Sequence, residues 1–118
     1  MLKTGRKFDK LPIGELYILV TTSGSAIGRK IAPDRDALLK YKDGELSWEN
    51  YIQLYLIKLQ RLWDARDEAI MTVAKFVKDP RTLYLLCWEA ENNPRCHRHV
   101  LKKFLEDHYP EIEQSPKT

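Results

Sequence analysis

No apolar run in this 118-residue chain approaches the roughly 20 residues needed to span a bilayer, so no membrane partner is expected. Cysteine is scarce: Cys87 and Cys96 are the only two, too few for a disulfide framework. The five glycines form no nucleotide-binding fingerprint. Gly24 and Gly28 are separated by three residues, where a P-loop needs four between its glycines, and Arg29-Lys30 runs into Ile31-Ala32-Pro33 rather than Lys-Ser or Lys-Thr. A dinucleotide-binding glycine pattern is also absent, and no cofactor is expected. The start of the chain has Lys3, Arg6, Lys7 and Lys10 but no apolar core behind them, so no secretion signal is expected. What remains is a cytoplasmic chain with free thiols.

The length suits one domain over residues 1–118. Hydrophobic content of 43% and charged content of 31% are ordinary for a globular protein. The net charge of +3 is unevenly spread. Residues 106–118 hold four acids (Glu106, Asp107, Glu111, Glu113) and one base, Lys117, which leaves +6 on residues 1–105. Residues 1–14 read as a basic arm with a short edge strand near Leu2 to Thr4. Residues 109–118 read as an acidic tail. The basic excess permits contact with phosphates or nucleic acid without demanding it.

Between arm and tail the pattern is α/β. Leu16 to Thr21 is rich in β-branched and aromatic residues and predicts a strand. Thr22 to Pro33 reads as a polar loop in which Ser23 and Arg29 could meet an anion. Asp34 to Asp43 predicts a short helix closed by Gly44. Ser47 is a good N-cap for a long helix with a continuous stripe: Trp48, Tyr51, Ile52, Tyr55, Leu56, Leu59, Leu62 and Trp63. An aromatic stripe at this spacing is far more often core than a base-stacking platform. A break at 64–67 leads to a helix carrying Ile70, Val73, Ala74 and Val77 inward. Leu83 to Trp88 is an unbroken apolar run, as expected of a parallel strand covered on both faces. The fold expected is a small parallel sheet with helices packed on it, ending in a Rossmann-like strand–turn–helix. So few strands leave open edges, which a homodimer or the arm would cover.

The reactive side chains concentrate in that last unit. Cys87 and Glu89 fall at the end of the strand. Asn93 and Pro94 predict a helix start, which puts Arg95, Cys96, His97, Arg98 and His99 in and around the first turn. A helix N-terminus with added arginine favours anions, and a cysteine there has its thiolate favoured. Ligands of open α/β sheets bind beyond the carboxyl ends of strands.

Four stretches resemble the family called domain of unknown function 488. Thr4-Gly5-Arg6 is similar to its opening and Leu16 to Val20 to its first strand. Ile31-Ala32-Pro33 with Tyr41 to Tyr51 (YKDGELSWENY) resembles its central segment, and Leu85-Leu86-Cys87-Trp88-Glu89 with Cys96-His97-Arg98 resembles its paired signature. Trp88 stands where the family usually has Tyr, and Arg95 where an aromatic is common. The resemblance implies an α/β fold and a shared polar cluster of Cys87, Glu89, Cys96, His97 and Arg98. It implies no reaction.

Three chemistries compete for the cluster. A tyrosine-phosphatase-like loop would need Arg six residues after Cys87, where Asn93 stands. A reactive Cys96 thiol with Glu89 or His97 as base is the second, with Arg98, Arg95, Cys87, Ser23 and Arg29 lining a site for a small phosphate- or carboxylate-bearing ligand. A metal is not expected: the spacing fits no paired-ligand motif, and adjacent Cys96 and His97 on a helix would point about 100° apart. The alternative to any ligand chemistry is a module that binds nucleic acid or protein through a basic face.

Overall fold

A computed structural model describes residues 2–6, 13–20, 26–87, 95–108 and 110. The elements in chain order are β1 (Leu2–Arg6), β2 (Leu16–Leu19), α1 (Ala26–Ile31), α2 (Arg35–Lys42), α3 (Trp48–Asp64), α4 (Glu68–Lys78), β3 (Leu83–Cys87) and α5 (His97–Asp107). The three strands form one parallel sheet in the order β1-β3-β2. This is the α/β architecture expected from the sequence.

Strand β3 lies at the centre. Leu83, Leu85 and Cys87 alternate to one side and Leu86 to the other, and all four are buried. That is why its sequence is apolar without interruption. On the outer strands, β1 pairs from Leu2 opposite Leu83 to Arg6 opposite Cys87, and β2 from Leu16 opposite Leu83 to Leu19 opposite Leu86. The basic arm is therefore in part an edge strand laid along β3. Tyr17 of β2 stacks on Tyr84 of β3, ring centroids 5.4 Å apart.

The helices are held by local rules that the sequence obeys. At the end of α2, Gly44 takes a positive φ of 79°, and the N–H groups of Gly44 and Glu45 return to the carbonyls of Tyr41 and Lys40. This is a Schellman closure, for which glycine is the usual residue. α3 ends the same way with Arg66 at φ 54°, its N–H and that of Asp67 returning to Trp63 and Leu62. Asp67 then caps α4 by accepting from the Ala69 N–H at 2.9 Å. On α3, Tyr51, Tyr55, Leu59 and Trp63 are buried, while Trp48, Ile52, Leu56 and Leu62 are half-buried flanks of the same stripe.

The expected loop over 22–33 is a helix from Ala26 onward. Ile31 is wholly buried, Ile27 packs against the core, and Gly28 is buried between them. Six residues cannot sustain a helix alone. α3 supplies the missing partners: the Tyr55 hydroxyl donates to the Ile31 carbonyl at 2.6 Å, and Lys58 Nζ donates to the Ala32 carbonyl at 2.7 Å. Lys30 also pairs with Asp67 at 3.2 Å, which ties α1 to the cap of α4. Among the described residues no helix is long and apolar enough to cross a membrane.

Candidate functional site

The carboxyl end of the sheet is where three pieces of chain meet. β3 delivers Cys87. The Val20 carbonyl follows β2, and Val20 donates its N–H to Leu86 at 2.9 Å, which fixes that carbonyl beside the end of β3. α5 begins at the same end.

The start of α5 differs from the one expected. The helix begins at His97, and Cys96 is its N-cap in extended backbone at φ −130°, ψ 137°. Asn93 and Pro94, expected to open the helix, lie outside the described residues. The correction changes the geometry of the cluster. With Cys96 outside the helix, its side chain is free of the 100° stagger that would have parted it from His97. The Cys96 and Cys87 sulfurs lie 3.1 Å apart, neither is in a disulfide, and both are buried. His97 turns its ring to the Val20 carbonyl, to which Nε2 is bonded. A carbonyl can only accept, so Nε2 carries a proton, and in the neutral ring the lone pair is then on Nδ1. The ligating atoms of Cys87, Cys96 and His97 all fall within 4.8 Å of one another.

Burial sets the electrostatics. The Cys87 sulfur first, and desolvation second, push the Cys96 thiol far above its ordinary value, against a smaller opposing pull from the Arg98 N–H and charge. The expectation of a thiolate favoured by its helix position is thus reversed: a second sulfur and a dry setting outweigh the helix end. Arg98 is wholly buried, so its guanidinium is no part of an exposed surface. Arg29 on α1 and Arg95 before α5 are exposed, and the three arginines do not make one basic face. Glu89 and Ser23 lie outside the described residues.

Two residues read only as core belong to this place. Tyr55 meets the His97 ring edge-on, centroids 6.1 Å apart. Tyr51 is 2% exposed, and its hydroxyl has no hydrogen-bond partner among the described residues. Burial first, then the charges of Cys96 and Cys87, raise the Tyr51 pKa. A buried tyrosine normally finds a partner for its oxygen. Tyrosines four apart in a stripe otherwise made of Trp, Ile and Leu were the signal for this.

A family description matches residues 25–109, more than two thirds of the chain: the active DUF488-N3 subclade. The chain belongs to this family. The match takes in α1 to α5 and β3, and so both cysteines, His97 and Arg98. No curated protein and no solved structure matches the chain. Within this DUF488 domain the paired signature has a spatial meaning. Its two halves bring their cysteines, nine residues apart in sequence, into direct contact.

Proposed function

We propose that this DUF488 domain binds a small anionic ligand, bearing phosphate or carboxylate, at the start of α5, with the Cys87–Cys96 pair available for thiol chemistry beside it. One observation carries the reading. α2, α3 and α4 each place an acid in the first turn (Asp36, Glu49 and Glu68), whereas α5, like the six-residue α1, has none and opens with His97, Arg98 and His99. Acids at a helix start offset the positive end of the dipole, and cations add to it. A helix start of this composition, at the carboxyl end of a parallel sheet, suits an incoming anion. In this reading the buried Arg98 sustains positive potential from behind, and the exposed Arg95 makes the outer contact. Cys96 is the nucleophile or one half of a dithiol, and Cys87 the other half. His97 holds the geometry through Val20.

The test is alkylation of Cys96 followed by mass spectrometry, under reducing conditions, with and without inorganic phosphate, a panel of nucleotides and a panel of phosphorylated and carboxylated metabolites. The reading expects at least one compound to slow alkylation in a saturable way. An unchanged rate across the whole panel would leave the cluster as a structural pin.

A further inference from the structure

Sulfur, sulfur and imidazole are three of the four donors of a common zinc site, and here they converge from a strand end, a helix cap and the first residue of the helix. In tetrahedral zinc two thiolates sit about 3.8 Å apart, and a thiolate and an imidazole nitrogen about 3.6 Å apart, given bond lengths of ~2.3 Å and ~2.0–2.1 Å. The Cys87–Cys96 separation of 3.1 Å and the 4.8 Å span of all three donors bracket those values. Opening the sulfur pair by about 0.7 Å, and closing a sulfur–nitrogen distance of up to 4.8 Å by about 1.2 Å, would admit the ion.

The surroundings fit a metal as well as the distances do. Metal-bound histidines almost always donate their other ring N–H to a carboxylate or carbonyl, which fixes tautomer and orientation. His97 does this toward Val20, leaving Nδ1 as the ligating atom. Two thiolates neutralise a dication, so the bound site adds no net charge to a buried region. The Tyr51 hydroxyl, one turn before Tyr55, whose ring meets His97 edge-on, is buried and without a partner among the described residues. A fourth ligand, a water or the ligand's own oxygen, would satisfy it.

We infer that Cys87, Cys96 and His97 form a binding site for a soft divalent transition ion of the zinc type, with the fourth position left to an exogenous ligand beside Tyr51. Binding releases the two thiol protons to solvent, and no electron is transferred. The inference concerns the same cluster as the proposed function but does not depend on an anion being bound.

Cobalt(II) titration of the full chain under reducing conditions tests it directly. The expected result is one cobalt per chain, with near-ultraviolet sulfur-to-cobalt charge transfer of an intensity set by two thiolates and visible bands of a four-coordinate ion, all displaced by zinc. Cys87→Ser and Cys96→Ser should each remove about half of the charge-transfer intensity, two thiolates being expected in this ligand class. Tyr51→Phe should keep the two-thiolate intensity while altering the visible bands. If a serine variant does not fold, the wild-type spectrum still decides. Charge transfer from fewer than two thiolates, or cobalt bound only in an octahedral oxygen or imidazole environment, overturns the site. The two readings separate cleanly: phosphate protection of Cys96 without cobalt binding sinks the metal alone, and cobalt binding with no effect of any anion sinks the anion alone.

Discussion

The starts of α3 and α5 follow opposite rules in the same small domain. At α3, Ser47 accepts from the Asn50 N–H at 3.1 Å, and the exposed Glu49 offsets the helix dipole. At α5 the cap position holds a cysteine with no side-chain cap bond of that kind, although the Arg98 N–H lies near enough to its sulfur to favour the thiolate. The residue corresponding to Glu49 is Arg98, a cation at the positive end and wholly buried. α3 is stabilised by its own local chemistry. α5 is held by what lies beneath it: Cys87, the Val20 carbonyl and the face of α3. A helix start that departs from local preference is retained when its side chains are engaged elsewhere, and such departures are expected at functional sites.

Substitutions at matched positions can break this contrast. Arg98→Ala should cost about 3–5 kcal/mol of stability, because it empties a buried site and strands whatever the guanidinium satisfies. Glu49→Ala, at the same helical position of α3, should cost under ~1 kcal/mol. Urea midpoints of the two variants measure the gap, and equal losses would mean that the two starts are built alike. Cys96→Ser sharpens the contrast in sign. Serine is the better cap, so a start governed by capping would gain stability from the exchange. A buried hydroxyl set against the Cys87 sulfur should instead lose about 1–3 kcal/mol.

Smaller effects follow on the locally stabilised side. Ser47→Ala should cost about 1 kcal/mol, the usual loss for a serine cap, and differential scanning calorimetry should show it without any change at the cysteines. Asp67, the cap of α4, adds a pH dependence. Burial, the largest single cause, pushes its carboxyl up, but the Ala69 N–H and Lys30 together outweigh it and hold the pKa below the ordinary value. Its contribution is therefore complete above the unfolded pKa of about 3.9 and is lost as pH falls through the lower folded value. Asp67→Asn keeps a capping oxygen without the charge. The variant should be less stable than the parent at pH 6 and converge with it in strong acid, as unfolding midpoints against pH would show.

What could be read from the sequence divides along the same line. β3, α2, α3 and α4 are legible because their own residues specify them: an unbroken apolar run, a glycine closure, a serine cap and a complete stripe. α1 is not. Ile27 and Ile31 give one pair of apolar positions four apart, too little periodicity to tell a helix from a loop, and the partners that finish it come from Tyr55 and Lys58. The start of α5 misleads because Asn93-Pro94 is a strong local signal, while Cys96 caps through contacts that no local rule describes. The convergence of Cys87, Cys96 and His97 follows from the strand–turn–helix pattern. The reversed proton affinity of Cys96 does not, since it depends on a sulfur nine residues away. Tyr51 reads as core because periodicity registers the ring and ignores the hydroxyl.

The order of the strands has a consequence for how the chain is made. β3 bridges the other two, yet it is the last of the three described strands to be synthesised, with Leu83 pairing to both Leu2 and Leu16. At about 5–20 residues per second, the ribosome needs roughly 3–13 s to pass from β2 to β3. Throughout that interval β1 and β2 have no neighbour between them, while α3 and α4 can already collapse on each other. Contacts so distant in sequence are slow to close. The sheet, the cysteine contact and the Val20–His97 bond thus arise together once β3 and the start of α5 have emerged, and a nascent chain halted before residue 83 would hold α1 to α4 but no site.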